Sequence, residues 1–363
     1  MIIGACGFGE TGSGVITDYL KEFDDILVKE SLEFTYVTKL DGLLYLERAV
    51  MHPFNRTGDS IYAIKRFMEM VEKCKSKYQH HGLSEKAFLQ SATKFIDAIT
   101  TTKWYWTDGR VRFRYKSRYF LHQFFMRKII PRMEVKSGKR AHCWPLTEVR
   151  ISVKPENFYE VAKEHMDELL KSMGINQEKT IVLDQPFAAN NPQACFPYFK
   201  DPYAVVVDRD PRDLYVSGKT KLMGKWRFFP IDTVEDFIAY YRALRKDQPY
   251  STPHPKVLCL RFEDLVYEYD KTTAKLREFL HLPDNPHPKT VFDPDMSIAN
   301  TQVFKRYPQF ADDIKKIEEE LSGYLFDFTK YPEPDFSKKM FLWSPLNKFQ
   351  RNSYKVEGFT PQS

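Results

Sequence analysis

Apolar residues run almost unbroken through Met1-Ile2-Ile3-Gly4-Ala5-Cys6, the pattern of a short strand buried on both faces. Gly7-Phe8-Gly9-Glu10-Thr11-Gly12-Ser13-Gly14 then reads as a glycine-rich turn, and Val15-Ile16-Thr17-Asp18-Tyr19-Leu20 opens a helix. The β-rich run at 32–38 predicts a second strand, left through the turn Lys39-Leu40-Asp41-Gly42. A short helix is expected over Leu43–Met51, closed by His52-Pro53. Across 60–98 the periodicity is helical, with Ile61, Ile64, Phe67, Met68 and Val71 on one face. Pro155 and Gly174 bracket another amphipathic helix. Further strands are predicted at 180–184, 203–208 and 256–261, the second continuously apolar and therefore central and parallel. Helices are expected at 232–244, 272–280 and 312–321. Strands alternating with helices argue an α/β fold: a doubly wound, mainly parallel sheet flanked by helices.

This pattern predicts one domain over 1–330, a helical basic-aromatic insertion at 60–150, and an irregular tail at 331–363 packed on the domain. Composition changes little: 363 residues, 42% hydrophobic and 29% charged, suit a globular chain with a sizeable core. Cys6, Cys74, Cys143, Cys195 and Cys259 are scattered without metal spacing, so reduced core thiols in a cytosolic setting are expected. No apolar run reaches the 18 residues of a membrane span, and no basic leader precedes the first strand.

The charge is more informative. Residues 103–140 hold twelve Lys or Arg against Asp108 and Glu134, so they carry +10 where the whole chain carries +6. Arg110-Val111-Arg112-Phe113-Arg114-Tyr115-Lys116 alternates basic and aromatic residues after Trp104 and Trp106. Three readings fit: a solvated basic face, a groove that stacks aromatics on a sugar and holds its acidic groups with arginine, or a face for an anionic membrane surface. Nucleic acid is not expected, because no recognition motif accompanies the stretch.

Two places in the chain suit an anion. Strand, glycine turn and helix together point backbone N–H groups at a phosphate. The spacing Gly7 to Gly12 fits a Walker A loop, but Ser13 stands where that motif needs lysine. The second place is Asp208-Arg209-Asp210-Pro211-Arg212-Asp213, with Ser217 eight residues after Arg209. It leaves a central strand at the carboxyl end, where open α/β sheets bind ligands. Arginine offers a planar donor fork and serine a hydroxyl. A salt-bridged turn, Arg209 and Arg212 with the three aspartates, fits the same residues.

In order and spacing, Arg209-Asp210-Pro211-Arg212-Asp213 with Ser217 resembles the 3′-phosphate element of sulfotransferases that use 3′-phosphoadenosine 5′-phosphosulfate, and Gly7–Gly14 resembles their 5′-phosphosulfate loop. Val257-Leu258-Cys259-Leu260-Arg261-Phe262-Glu263-Asp264-Leu265 is similar to the family's late strand and turn, Lys275–Pro283 to the helix after it, and Asn300–Arg306 to its closing basic segment. The resemblance covers 1–40 and about 180–325 and leaves 60–150, the acceptor side, outside.

The resemblance implies a P-loop-like fold and in-line transfer of a sulfuryl group from that donor to a hydroxyl, with no metal required. It implies donor contacts from Gly9, Glu10, Thr11, Gly12, Ser13, Gly14, Val15, Arg209, Ser217, Lys305 and Arg306. The acceptor expected is a sugar or glycolipid, held by Trp104, Trp106, Arg112 and Arg114, in a cytoplasmic protein touching the inner membrane surface through 103–140. A base is expected near the end of the second strand, Asp41 first and then His52, with Asp184 at the end of the third predicted strand as a third candidate. The family's usual basic loop position is Glu10 here, so the loop's cation must come from elsewhere, with Lys39, Arg48 and Arg56 as candidates. Glu10 also opens two alternatives: that it serves as a base toward the acceptor, or that the fold binds glycan or membrane without transferring sulfate. A P-loop phosphotransferase is the remaining rival, since Ile181-Val182-Leu183-Asp184 looks like a Walker B strand.

Overall fold

The structure, a computed structural model, describes residues 1–55, 58–79, 84–106, 147–175, 179–221, 229–246 and 253–336, together with Phe124 and Ile129. Its strands are β1 (Ile2–Gly7), β2 (Ile26–Glu33), β3 (Thr102–Trp106), β4 (Thr147–Ile151), β5 (Thr180–Asp184), β6 (Pro202–Asp208) and β7 (Val257–Arg261). The helices used below are α1 (Gly14–Leu20), α2 (Leu43–Met51), α3 (Gly58–Gln79), α4 (Glu85–Ile99), α5 (Phe158–Ser172), α6 (Pro211–Lys221), α7 (Val234–Arg245), α8 (Phe262–Tyr267), α9 (Tyr269–Leu280), α10 (Pro294–Ser297) and α11 (Ala311–Glu320).

β2, β5, β1, β6 and β7 lie side by side in that order, every adjacent pair parallel. The two apolar runs of the sequence, β1 and β6, are therefore neighbours at the centre, in register from Ile2 opposite Pro202 to Gly7 opposite Val207. Alternation then divides the core. Ile2, Cys6, Ile181, Leu183, Ala204 and Val206 face α2, α3, α4 and α5; Ile3, Ala5, Val182, Val205 and Val207 face α1, α8 and α9. A third cluster joins α6, α7 and α11 beyond the carboxyl end of β6.

The second strand sits earlier than its sequence pattern predicts. β2 ends at Glu33, while 34–42 turns: Lys39 N–H donates to the Thr35 carbonyl and Gly42 N–H to the Lys39 carbonyl, both at 2.7 Å. Phe34, Tyr36 and Val37 are fully buried in the helix-side core; Phe34 N–H still donates to the Asp184 carbonyl at 2.7 Å, and the chain leaves the sheet after it. Their β-type composition reflects burial against α3 and α4. The real strand is at the sheet's edge, where the charges of Lys29 and Glu33 are tolerated, and it bulges between Val28 and Glu33.

The periodic face of 60–98 is as the spacing requires: Ile61, Ile64, Phe67 and Val71 are buried in α3. Beyond α4 the chain is extended. β3 and β4 form an antiparallel ribbon, Thr102 opposite Ile151 and Trp106 opposite Thr147, so Trp104 lies on a strand and is 37% exposed. Arg112 and Arg114 lie outside the described residues, as does Arg56. No helix among the described residues is long and apolar enough to cross a membrane.

One polar chain runs through the helix-side core. His165 is stacked on Phe95, with ring centroids 5.3 Å apart, and is held by Tyr36 Oη at Nε2 and Ser91 Oγ at Nδ1, both at 2.8 Å. Ser91 donates to the Glu168 carboxylate at 2.9 Å, and Lys94 pairs with that carboxylate from outside. Because Ser91 gives its proton to Glu168, its oxygen must accept from His165 Nδ1–H, and Nε2 accepts from Tyr36. Burial pushes the imidazole down to about 4, so the ring is neutral at pH 7.

Candidate functional site

β1 leads through its loop into α1 and on to β2 on one side of the sheet, while β6 leads through α6 and α7 to β7 on the other. Adjacent strands whose connections leave in opposite directions open a crevice at their carboxyl ends. Both sequence-predicted anion elements start there.

Gly9 (φ 86°), Glu10 (φ 56°) and Gly12 (φ 88°) are left-handed, which folds 7–14 into a tight cup. Within it the N–H groups of Gly9, Glu10, Gly12, Ser13 and Gly14 meet no acceptor among the described residues. α1 has only seven residues, so the cup's own N–H groups dominate over any long-range dipole. A β-carbon on Gly12 would lie 2.6 Å from the Phe262 ring and carry the wrong φ. Gly12→Ala should therefore lower stability by about 1–2 kcal/mol in thermal or urea unfolding. A variant as stable as wild type would contradict the turn geometry.

The two loop hydroxyls divide their work. Thr11 is 1% exposed, donates to the Val207 carbonyl at 2.7 Å and accepts the Phe8 N–H at 3.1 Å, so it ties the loop to β6 and has no proton left for a ligand. Ser13 instead accepts from Gln185 Nε2 at 2.9 Å and keeps its own proton. Gln185, at the end of β5, also accepts the Gly7 N–H at 3.1 Å. Gln185 lies outside the motifs that mark the anion elements; its one sequence signal is a polar residue that ends a predicted strand and precedes Pro186.

Arg209 is 4% exposed. Its guanidinium donates to the Glu10 carbonyl at 3.4 Å and to the Asn300 carbonyl, and lies 5.4 Å from the Phe262 ring centroid. Among the described residues two cations therefore reach the glycine loop: Arg209 at the Glu10 carbonyl, and Arg245, whose guanidinium lies 4.3 Å from the Phe8 ring centroid. Lys39 and Arg48 are exposed. Arg209 Nε and Ser217 Oγ are both buried and have no hydrogen-bond partner among the described residues. Leaving a buried donor unpaired costs about 1–3 kcal/mol, so two within one nine-residue element make it a candidate site for an acceptor.

The neighbouring charges are scaffold, as the salt-bridge reading of that turn holds for Arg212 but not for Arg209. Asp210 grips Arg212 at Nε and Nη2, both 2.9 Å, and Arg212 continues to Glu318 at 2.8 Å. Asp208 takes Arg245 in the same two-point way. Glu263 accepts the Asp210 N–H at 2.8 Å, and Asp213 the Phe304 N–H at 3.2 Å, fixing the turn against α8 and the 303–306 turn. Burial pushes Asp213 up to about 7, against the pull of Arg209, and Glu263 up to about 8, against Arg261.

The remaining sequence-predicted residues have these places. The Glu10 side chain is exposed, and its contact with Arg209 is made by its carbonyl. Asp41, left-handed at φ 64°, faces Arg66 Nε at 2.8 Å. His52 caps α2 on the surface, and Asp184 ends β5 beside Gln185. Lys305 pairs with Glu333 at 2.9 Å, and Arg306 is half-buried. Val15 N–H closes the turn onto the Gly12 carbonyl at 3.1 Å.

No family model matches the sequence, and no curated protein matches it. Among solved structures the chain is similar to the sulfotransferase domain from the curacin biosynthetic pathway, at 13% identity and TM-score 0.36, covering 90% of this chain and 98% of that one. It is similar to sulfotransferase STF9 from Mycobacterium avium at 12% identity and TM-score 0.35, covering 90% and 76%. Retinol dehydratase in complex with androsterone and inactive cofactor PAP matches at 10% identity and TM-score 0.27, covering 90% and 71%. At such scores the likeness carries no argument about chemistry, and what the crevice does has to be read from Arg209, Ser217 and the loop themselves.

Proposed function

We propose that this chain is a sulfotransferase that binds 3′-phosphoadenosine 5′-phosphosulfate in the crevice between β1 and β6 and passes its sulfuryl group to a carbohydrate hydroxyl. The single observation that carries the reading is the pair of buried, unpartnered donors, Arg209 Nε and Ser217 Oγ, beside a loop of unpartnered N–H groups. A nucleotide with phosphate groups at both its 3′ and 5′ positions satisfies two donor sets on adjacent strands. A triphosphate needs only the loop, and leaves Arg209 and Ser217 unexplained.

In the proposed reaction the acceptor oxygen bonds to sulfur as the bond from sulfur to the 5′-phosphate oxygen breaks, in line. The acceptor proton passes to a base, and the leaving electron pair stays on the 5′-phosphate, where the loop N–H groups receive the charge. Asp41, His52 and Asp184 remain the candidates for that base. Lys305 and Arg306 would close over the nucleotide, the first by exchanging Glu333 for phosphate. The sugar or glycolipid acceptor rests on Trp104, Trp106, Arg112 and Arg114.

Titration with adenosine 3′,5′-bisphosphate and with magnesium ATP tests the donor side: tight binding of the first is expected, and binding of ATP alone favours a phosphotransferase. Incubation with labelled donor and a glycan panel tests transfer. Nucleotide binding without transfer to any acceptor would favour the binding-module alternative that Glu10 raises. Replacing Arg112 and Arg114 together with alanine is expected to raise KM for the glycan about tenfold while bisphosphate affinity stays within twofold. An equal loss of both would remove these residues from the acceptor side.

A further inference from the structure

We propose that Gln185 is a positioning residue that fixes the polarity of the Ser13 hydroxyl, making Ser13 a hydrogen-bond donor to the 5′ anion. The inference rests on the nucleotide reading above and assigns a role within that site to a residue outside the motifs that carry the family resemblance.

The argument begins at the backbone. Gln185 is held at φ 54°, and its N–H donates to the Ala5 carbonyl at 2.8 Å, extending the β1–β5 ladder by one rung. Its side chain therefore starts from a rigid point on the strand next to β1. From there it spans the cup, meeting the first residue of the loop at Gly7 and the seventh at Ser13.

The orientation of an amide group is ordinarily ambiguous, because its oxygen and nitrogen can exchange places. Here it is not. Gly7 N–H can only donate, so the atom 3.1 Å from it must be Oε1. Nε2 is then the atom facing Ser13, and because it can only donate, Ser13 Oγ must accept. A hydroxyl whose lone pair is taken by an N–H turns its own proton elsewhere. No other acceptor among the described residues meets the Ser13 hydroxyl. The proton is left for a ligand, alongside the N–H groups of the cup.

The contrast with Thr11 sharpens the point. Thr11 donates to a carbonyl and accepts an N–H, so its hydroxyl is used up within the protein. Two hydroxyls two residues apart thus have opposite fates, decided by partners 185 and 207. With an uncharged amide at its edge the cup gains an oriented donor without a further cation, which suits a loop that lacks the Walker lysine.

The test is a double-mutant cycle on the full chain, read by calorimetric titration with adenosine 3′,5′-bisphosphate. Ser13→Ala should weaken binding about tenfold, the loss of one hydrogen bond to a charged group. Ser13→Thr keeps the hydroxyl and should stay within about threefold of wild type. Gln185→Leu should weaken binding about tenfold alone but clearly less in the Ser13→Ala background, because the hydroxyl it orients is gone. Additive losses would overturn the proposal, since they would mean that Gln185 only supports the loop at Gly7. Ser13→Ala keeps the Gly7–Gln185 bond, so it decides even if Gln185→Leu fails to fold: unchanged affinity in Ser13→Ala overturns the assignment. If wild type binds the bisphosphate and Arg209→Ala does not, the nucleotide reading stands whatever Gln185 does. If wild type does not bind it, both readings fall together.

Discussion

Arg209→Ala is expected to lower affinity for adenosine 3′,5′-bisphosphate by about a hundredfold, equivalent to about 2.7 kcal/mol. The guanidinium is almost wholly buried, its Nε has no partner among the described residues, and a charge-assisted bond in such a place is worth more than one at the surface. The same side chain links the Glu10 and Asn300 carbonyls, so its loss also loosens the crevice. A loss of affinity alone would therefore be ambiguous. Discrimination resolves it: wild type should prefer the bisphosphate strongly over adenosine 5′-monophosphate, and Arg209→Ala should bind the two alike. Arg209→Lys keeps the charge but lacks the planar fork, and should recover stability more than discrimination. If Arg209→Ala retained the preference for a 3′-phosphate, Arg209 would be scaffold like Arg212, and the two-ended reading of the crevice would fail.

The second large effect lies away from the site. His165 is buried neutral, with its value pushed down to about 4 against an ordinary 6.5. As pH falls, the unfolded chain takes up this proton before the folded one does. The stabilisation is thus fully present above about pH 6.5 and is lost as pH drops toward 4, by about 3 kcal/mol in total. Asp213 and Glu263 act in the opposite sense, because their folded values are raised and protonation at lower pH favours the fold. Comparison with His165→Gln cancels those two groups. The glutamine variant should be the less stable protein at pH 8, having lost packing on Phe95, and the gap should close or reverse by about 3 kcal/mol as pH falls to 4. Urea unfolding at both pH values measures it. A gap that does not change with pH would mean that His165 takes up its proton in the fold as readily as in the unfolded chain.

Much of the architecture can be read along the chain because it is set by short-range pattern. A continuous apolar run followed by glycines and a helical period leaves little choice for 1–20, and α3 declares itself through Ile61, Ile64, Phe67 and Val71. The same holds for Arg209 and Ser217: a strand end, a proline and a helix bring them together with no help from distant residues. The misplaced second strand shows the limit of that logic. Phe34, Tyr36 and Val37 have β composition, yet a buried turn rewards the same residues, and an edge strand does not need an apolar pattern.

The sequence by itself determined most of the local units, though not the second strand or the β3–β4 ribbon: that 7–14 is a glycine cup, and that an arginine and a serine stand two helical turns apart. Tertiary structure alone decided the partners. β5 inserts between β1 and β2, and that crossover brings Gln185 to Gly7 and Ser13 from more than 170 residues away. β6 on the other flank takes the Thr11 hydroxyl and sends Arg209 to the loop, while Ser91, His165 and Tyr36 meet only when three separate segments pack. Local conformation follows from sterics and periodicity within a few residues. Hydrogen-bond polarity depends on which strand lies alongside, and strand order is a property of the whole sheet.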